Sequence, residues 1–493
     1  MTRSLILVSL LCFMIMGVRA QQNQKTRLSL EQVIEISQAQ SPEAFIAKHR
    51  FKSSYWEFRA FKAQFMPQLG LNATIPSINQ SIKSYTNPDG KEEFIDQSYT
   101  SYQADLSLSK VVGLTGGSLY MRSRLQRIDD NSDSLGTTSY LSNPITLGFV
   151  QPIFGYNPYK WSKEIDPVKF QEAQRRLAED NEQVAISASN YFFGLLIAQM
   201  QKHIAEINVA NYDTLYRIAQ GRYNMGTIAE NELLQLELNL LRSRADFQNS
   251  SLDVENASFR LKSFLRLKGN DDIELVVPSQ TIHFDIPVAE AVGYARTNRS
   301  GSLAFERRLM EAARDVARAK TENRFSADLF LEYGLSKNSD KLPDVYKSPN
   351  DHKQLSLGLK VPILDWGLSK GRIKMAESTQ ELIRTSIEQE QIDFDQEVYL
   401  AVMQFGMQKI QMYIAAKSDT VAFKSFQVAK ARYMIGKISI TDLNLAQQSK
   451  DQAHIGYIST LHKYWLNFYN LRKLTLFDFN INRQISVDIN KVL

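Results

Sequence analysis

Two pairs of short motifs in this chain are separated by the same interval of 210 residues. Leu147-Gly148-Phe149-Val150-Gln151-Pro152-Ile153 matches Leu357-Gly358-Leu359-Lys360-Val361-Pro362-Ile363, and Arg222-Tyr223-Asn224-Met225-Gly226 matches Arg432-Tyr433-Met434-Ile435-Gly436 (357 against 147, 432 against 222). One offset shared by two different motifs marks a duplicated unit, which restricts the fold to architectures with two equivalent halves.

Residues 1–20 read as a secretory signal, with Arg3 at the basic start, an apolar run from Leu5 to Val18 and a Val18-Arg19-Ala20 end, so the mature chain begins near Gln21. The one cysteine, Cys12, lies inside that run. A lipoprotein signal is disfavoured because Leu11 stands where a small residue would precede the cysteine. The exported chain then has no thiol, which rules out disulfides and thiolate metal sites.

A net charge of +5 over 493 residues, with no block of Lys and Arg, argues against nucleic acid. With 22 Gly, 13 Pro and no long flexible linker, one large or elongated body is favoured. After the signal no apolar run reaches the roughly 18–20 residues that a spanning helix needs. An exported chain of this kind is soluble, peripheral or a β-barrel.

Apolar and polar residues alternate in Leu69–Ile75, Tyr102–Leu108, Ile145–Phe149, Ala327–Leu335 and Leu355–Val361, and more weakly in Leu119–Leu125. A period of two marks strands with one apolar face. Such segments suit tilted strands of an outer-membrane barrel, and the same alternation also fits a soluble sandwich. The stretches between Ile75 and Tyr102, with Asn87-Pro88-Asp89-Gly90, and between Leu125 and Ile145, with Asp129-Asp130-Asn131-Ser132-Asp133, read as long hydrophilic loops. The link between Leu108 and Leu119 is short and holds Gly113, Gly116 and Gly117. Long loops alternating with a tight turn favour the barrel.

The remainder reads as helix, outbound over about 159–223 and 368–433 and returning over 228–267 and 440–474. At about 1.5 Å per residue, some 60 residues make a helix about 90–100 Å long, too long for a compact globule. On the first return run Leu233, Leu240, Phe247, Val254 and Leu261 recur every seventh residue, as do Leu238, Ala245, Leu252 and Phe259. The two stripes lie on nearly opposite sides, so the helix has a neighbour on each, as in a wall of coiled-coil helices. A four-helix bundle core is the alternative. Arg222–Gly226 and Arg432–Gly436 are the hairpin tips, where glycine ends the outbound helix.

The chain resembles the TolC-like outer-membrane efflux proteins over essentially its whole mature length. Leu30-Glu31-Gln32-Val33-Ile34 followed by Ser41-Pro42-Glu43 is similar to that family's opening helix, Phe65-Met66-Pro67-Gln68-Leu69 to the start of its first strand, and Val361-Pro362-Ile363-Leu364-Asp365-Trp366-Gly367 to its strand-to-helix swivel. The paired Arg-Tyr-x-x-Gly tips are its most recognisable mark. The resemblance implies a mainly helical fold with β: two internal repeats whose long coiled-coil hairpins form a periplasmic α-barrel, and a β-barrel shared by a homotrimer in the outer membrane.

It also implies an exit duct in the outer membrane, extending into the periplasm, that docks onto a periplasmic adaptor (membrane fusion protein) and an inner-membrane pump in efflux or type I secretion. Arg222, Tyr223, Gly226, Arg432, Tyr433 and Gly436 match the docking tips, although the glycines could serve the turn alone and the tyrosines packing alone. The family's aperture acid, six positions past the tip glycine, is Asp442 here, with Glu232 its counterpart in the first repeat. A ring of carboxylates on a narrow axis would favour cations, while an acid at a helix start is favourable there without any pore. Leu445 stands where relatives carry a second acid.

Before the strands the repeat offset is 258 (Leu71 against Leu329), so the first strand region is 48 residues longer than the second and holds an extra hairpin within 99–128. Four strands per protomer, as in the family, would make twelve in a trimer with this hairpin as an outside elaboration. Six would make eighteen, and twelve is favoured because a wider barrel must still join the same helical tube. The domain reading is a signal (1–20), a first repeat (21–268, strand region 68–152, tip near 222–227), a linker (269–287), a second repeat (288–476, strands 327–336 and 353–362, tip near 432–437) and a tail (477–493). The linker and tail are expected to form the girdle seen in relatives. Pro67 is answered by Phe325 in the second repeat, which puts only a local bend in question.

No HExxH pair, phosphate loop or nucleophile elbow occurs, so no enzyme, cofactor or metal is expected. His454 and His462, eight apart on a helix, fit packing or surface roles better than a metal site. The competing reading from another class is a pore-less periplasmic or surface coiled-coil scaffold.

Overall fold

The computed structural model describes residues 26–132, 136–268, 272–278 and 284–492. The signal segment with Cys12 lies outside the described residues, as do Asp133, Gly269, Asn270, Asp271 and His283.

The duplication is visible in the element lengths. The first half runs β1 (Thr26–Leu28), α1 (Leu30–Gln40), α2 (Pro42–Ala63), β2 (Gln68–Thr86), β3 (Glu92–Val112), β4 (Gly117–Asp130), β5 (Thr137–Ile153), α3 (Pro158–Asn224) and α4 (Glu230–Leu265). The second runs β6 (Ile273–Leu275), α5 (Val288–Asn298), α6 (Ser300–Glu322), β7 (Ser326–Ser339), β8 (Asn350–Lys360), α7 (Leu368–Met434) and α8 (Ile440–Thr475), followed by β9 (Phe477–Asp478) and β10 (Arg483–Gln484). The outbound helices α3 and α7 each have 67 residues and the return helices α4 and α8 each have 36. The openers α1 and α5 have 11 apiece. The second pair, α2 and α6, have 22 and 23, so the main difference lies in the strand regions, with four strands in the first half and two in the second.

Two compact units divide the chain: a helical unit of residues up to Arg50, Arg175–Arg299 and from Phe394 onward, and a sheet unit of Phe51–Gln174 and Ser300–Asp393.

In the sheet unit six strands form one antiparallel sheet in the order β2-β3-β4-β5-β7-β8. The hairpin expected to lie outside the sheet is therefore corrected: β3 pairs with β2 from Gln68↔Ser109 to Thr86↔Glu92, and β4 pairs with β5 from Ser118↔Val150 to Asp130↔Thr137. The expected long loops are corrected as well, since most of 76–101 and 126–144 is strand. Backbone pairing carries those stretches where apolar alternation fades, and Asn87–Lys91 closes the β2–β3 turn through Gly90 N–H to Asn87 O at 2.8 Å, with Gly90 at φ 79°.

Register shifts fall between Thr74 and Ser77, Arg122 and Arg124, and Ser142 and Thr146. Pro76 and Pro144, which have no N–H to give a ladder, sit inside two of these bulges. The first bulge places two residues of β2 opposite one of β3, so Ile78 and Ile82 continue the face begun by Leu69 and Leu71. Gly334 faces the third bulge, where a Cβ would stand 2.7 Å from the Ile145 carbonyl.

The two strand-to-helix junctions are built alike. Asn157 Oδ1 accepts from the amides of Tyr159 (3.0 Å) and Lys160 (3.3 Å) at the start of α3, and Asp365 accepts from Gly367 N and Ser369 N (both 3.0 Å) before α7. A hydrogen bond from the Ser369 side chain, together with those amide bonds, holds the Asp365 carboxyl below its ordinary pKa.

The helical unit buries one long apolar core around Phe192, Phe193, Leu195, Leu261, Leu265, Leu461 and Leu471. Each large side chain removed from water there contributes about 1.5–3 kcal/mol. An ion cluster adds to this core: Arg472 donates to both Glu182 oxygens (2.9 and 3.0 Å) and to Asp478 Oδ2 (2.6 Å). The two repeats meet at β1 and β6, which pair in parallel. The linker and tail meet too, since Phe284 stacks near Phe479 (6.4 Å), and the tail also packs on α5, where Phe477 lies flat on Tyr294 (4.0 Å, 5°).

Candidate functional site

Both hairpin tips are closed by the same backbone motif. Gly226 N–H donates to Tyr223 O (2.8 Å) and Thr227 N–H to Arg222 O (2.9 Å); Gly436 N–H donates to Tyr433 O and Lys437 N–H to Arg432 O (both 2.9 Å). Gly226 and Gly436 have φ of 71° and 72°, so each occupies the left-handed position of a Schellman turn, where a side chain is disfavoured. The glycine reading of the sequence matches this geometry.

The tips are packed against each other. Leu215, Ala219 and Leu236 of the first hairpin bury themselves with Phe426, Tyr433, Ile440 and Leu443 of the second. Arg222 donates Nη2–H to the Met434 carbonyl at 2.6 Å, and its guanidinium lies 6.0 Å from the Tyr433 ring centre. Further up, Tyr212 OH donates to Asn444 Oδ1 (3.1 Å), and Asn208 donates to Asp451 (2.9 Å). Burial raises the Tyr433 hydroxyl pKa, Glu232 adds to the rise and Arg222 opposes it.

Equivalent residues of the repeat do different work. Tyr433 is 4% exposed and belongs to the core, whereas Tyr223 is 40% exposed. Arg222 is half-buried in the tip while Arg432 is exposed. Exposed beside Tyr223 are Met225 (72%), Met434 and Ile435 (67%), which the motif reading passed over because they occupy its variable positions. An apolar residue next to a turn glycine is the signal that could have found them.

Asp442 occupies the first turn of α8, where its carboxylate accepts from Ser439 N (3.1 Å) and Ser439 Oγ (2.8 Å) while Ser439 Oγ accepts from Asp442 N (3.2 Å). That capping box, with its hydrogen bonds from Ser439 and the charge of Arg432, lowers the Asp442 pKa. Glu232 also stands in a first turn, but the N-cap there is Ala229, which has no side-chain cap.

Of the two heptad stripes on α4, the one with Leu240 and Leu261 is turned into the core of its own chain. The other leaves Leu238, Leu252 and Phe259 exposed. Helix α7 carries a matching exposed stripe of Leu400, Met407, Ile414, Val421 and Val428, again every seventh residue. The histidines do not converge: His454 Nδ1 is 3.1 Å from Asp419 Oδ1, and His462 stacks on Phe193 (4.9 Å) with Nε2 3.1 Å from Asn190 Oδ1. Among the described residues no group of three His, Cys, Asp or Glu could hold a metal ion.

In the sheet unit the two faces differ in chemistry. One presents rows such as Leu69-Leu108-Met121-Leu147-Tyr333 and Leu119-Phe149-Leu331-Leu355. The other carries Asp105, which accepts from Arg124 Nε at 3.0 Å and Gln103 Nε2 at 2.7 Å, and Glu332, which accepts from Tyr120 OH at 2.5 Å and faces His352 Nε2 at 3.3 Å. Tyr102 and Tyr140 flank Arg127 on the apolar face, 5.7 and 5.9 Å from the guanidinium. Aromatic rings beside a long cation mark the edge of an apolar band. Among the described residues no helix is long and apolar enough to cross a membrane.

The sequence matches the outer membrane efflux protein family over residues 111–265 and 301–475. The chain belongs to that family. The outer membrane channel CmeC of Campylobacter jejuni shares the fold of this efflux protein with a TM-score of 0.66 at 16% identity, covering 94% of this chain and 88% of that one. VceC, an outer membrane protein of Vibrio cholerae, gives 0.64 at 14% identity with coverage of 90% and 95%. The open-state outer membrane channel MtrE of Neisseria gonorrhoeae gives 0.57 at 16%, with coverage of 93% and 91%. No curated protein sequence matches. The efflux protein is thus a TolC-like transport protein of the outer membrane that extends into the periplasm, in a family of channels rather than enzymes.

Proposed function

We propose that this efflux protein is the exit duct of a tripartite efflux or type I secretion system, a passive homotrimeric channel that docks onto a periplasmic adaptor served by an inner-membrane pump. The paired tips carry the reading. Tyr223, Met225, Met434 and Ile435 are exposed apolar side chains held at two Schellman turns that brace each other through Arg222. Arg432 and Tyr223 then touch the adaptor, Gly226 and Gly436 set the turn, and Arg222 and Tyr433 position it. The unpartnered stripes on α4 and α7 support a further copy on each side, since heptad seams of this kind pack against another helix. Asp442 and Glu232 line the periplasmic aperture in this reading, with Asp442 also capping α8.

A photo-reactive phenylalanine analogue at Met225 or Ile435 in the native cell tests the docking. An adduct with a periplasmic adaptor is expected from both sites; adaptor adducts from an exposed position such as Leu252 but from neither tip would overturn it. For the aperture, Asp442→Asn is expected to alter single-channel conductance or cation selectivity in planar bilayers, and unchanged values remove Asp442 from the pore.

A further inference from the structure

The six-stranded sheet ends in two edges that its own chain leaves open. Among the described residues β2 is bonded only to β3, and β8 only to β7. An open edge cannot stand in hydrocarbon, where every backbone N–H and C=O must be paired. Six strands are also fewer than the eight of the smallest membrane barrels. Because the six alternate in direction, β2 and β8 run oppositely, so β8 of one copy meets β2 of a second copy antiparallel.

We propose that the trimer's membrane wall is an eighteen-stranded barrel, six strands from each of three copies, closed by pairing β2 of one copy with β8 of the next. The count of three rests on the trimeric duct proposed above, and the six rests on the place of the β3–β4 hairpin. Returning to a four-stranded wall would break the β2–β3 and β4–β5 ladders. It would also pull Tyr120 out of a fitted seat. Tyr120 leaves β4, passes over Gly148 of β5 and donates to Glu332 of β7 at 2.5 Å. A Cβ on Gly148 would lie 2.0 Å from the Tyr120 ring, so the glycine makes room for a residue of the hairpin.

The hairpin also has the chemistry of a wall. Leu106, Leu108, Leu119 and Met121 share one face with Leu69, Leu71, Leu147 and Phe149 of the neighbouring strands, while Asp105, Arg122 and Arg124 join the polar face. An elaboration in water would have no reason to keep one face apolar. Barrel width grows roughly linearly with strand number, so eighteen strands make a bore about half as wide again as twelve.

Single-particle cryo-electron microscopy of the purified wild-type protein in nanodiscs tests this directly. A trimer with eighteen strands and β2 beside β8 of the adjacent copy is expected. A trimer with twelve strands and residues 92–130 outside the wall would overturn the strand count and leave the duct intact. A particle that is not a membrane trimer would overturn the duct reading as well. Paired cysteines give a second readout, with no native thiol expected in the mature chain. Leu71→Cys combined in turn with Leu355→Cys, Leu357→Cys and Leu359→Cys should give an oxidant-dependent link between copies for at least one pair. A link between Leu71→Cys and Leu147→Cys should not form, since β2 and β5 are about 14 Å apart across three strand spacings. Its formation, or no link between copies from any pair, would overturn the proposal.

Discussion

Arg222 donates to the main-chain carbonyl of Met434 at 2.6 Å, so the turn of the second hairpin is held by a side chain of the first. Neither tip is an independent module. A change in one repeat reaches the outer face of the other through this bond and the Tyr433 ring beneath it.

Replacing Gly226 or Gly436 by alanine should cost about 1–2 kcal/mol locally, because each has φ above +70° and a Cβ would meet nothing within 4 Å. The cost is conformational and not steric, so asparagine should be tolerated better than alanine. Hydrogen exchange of the 226–227 or 436–437 amides should speed up roughly tenfold or more in the alanine variant, about 1.4 kcal/mol per factor of ten. An equal effect from asparagine would contradict this account.

Gly148→Ala should prevent the normal heat-modifiable assembly, since the added carbon lies inside the Tyr120 ring. Overpacking of this sort costs about 1–3 kcal/mol, and every atom the new carbon meets most closely belongs to the Tyr120 side chain. Tyr120→Ala in the same chain should restore assembly, whereas Tyr120→Phe, which keeps the ring, should not. Band shifts on unheated gels of outer-membrane fractions report the outcome.

Arg472→Met should cost about 3–5 kcal/mol, because it leaves the buried Glu182 carboxylate without its bidentate partner. Glu182→Gln added to Arg472→Met should recover part of that loss. The denaturant midpoint of the purified protein measures both, and a double variant no better than the single would show that packing, not charge, sets the cost.

His462 supplies a pH dependence. Burial against Phe193, with Lys463 adding to it, lowers its pKa below the ordinary 6.5. The folded protein therefore binds this proton less readily than the unfolded chain, and the stability it contributes at neutral pH falls as the pH drops from about 6.5 to the folded-state value. His462→Phe keeps the stacking and removes the titration, so its melting temperature should decline less between pH 7 and 5.5. Parallel declines would remove His462 from the acid response.

Much of this fold was legible because duplication and periodicity are local signals. Gly226 and Gly436 announced the turns, and Leu240 and Leu261 announced a packed helix face. The Asp442 reading left two roles open, pore-lining acid and helix-start acid, and the capping box of α8 is the one a single chain can display. What stayed hidden depends on partners across the sheet. Pro76 and Pro144 shift the register in mid-strand, so the alternation read from Leu69 could not be carried past Ile75, and the hairpin looked like loops and an appendage. The separate fates of Tyr223 and Tyr433 were invisible too, since identical motifs say nothing about which copy the core covers.

Those two tyrosines stand for a gene duplication caught after its halves have parted. With Tyr433 in the core and Tyr223 in water, the second copy of the motif answers to packing and the first to whatever it meets outside. Substitutions should therefore accumulate at different rates on the two, and a lineage that acquires a new partner can rewrite position 223 without disturbing the scaffold that holds it in place.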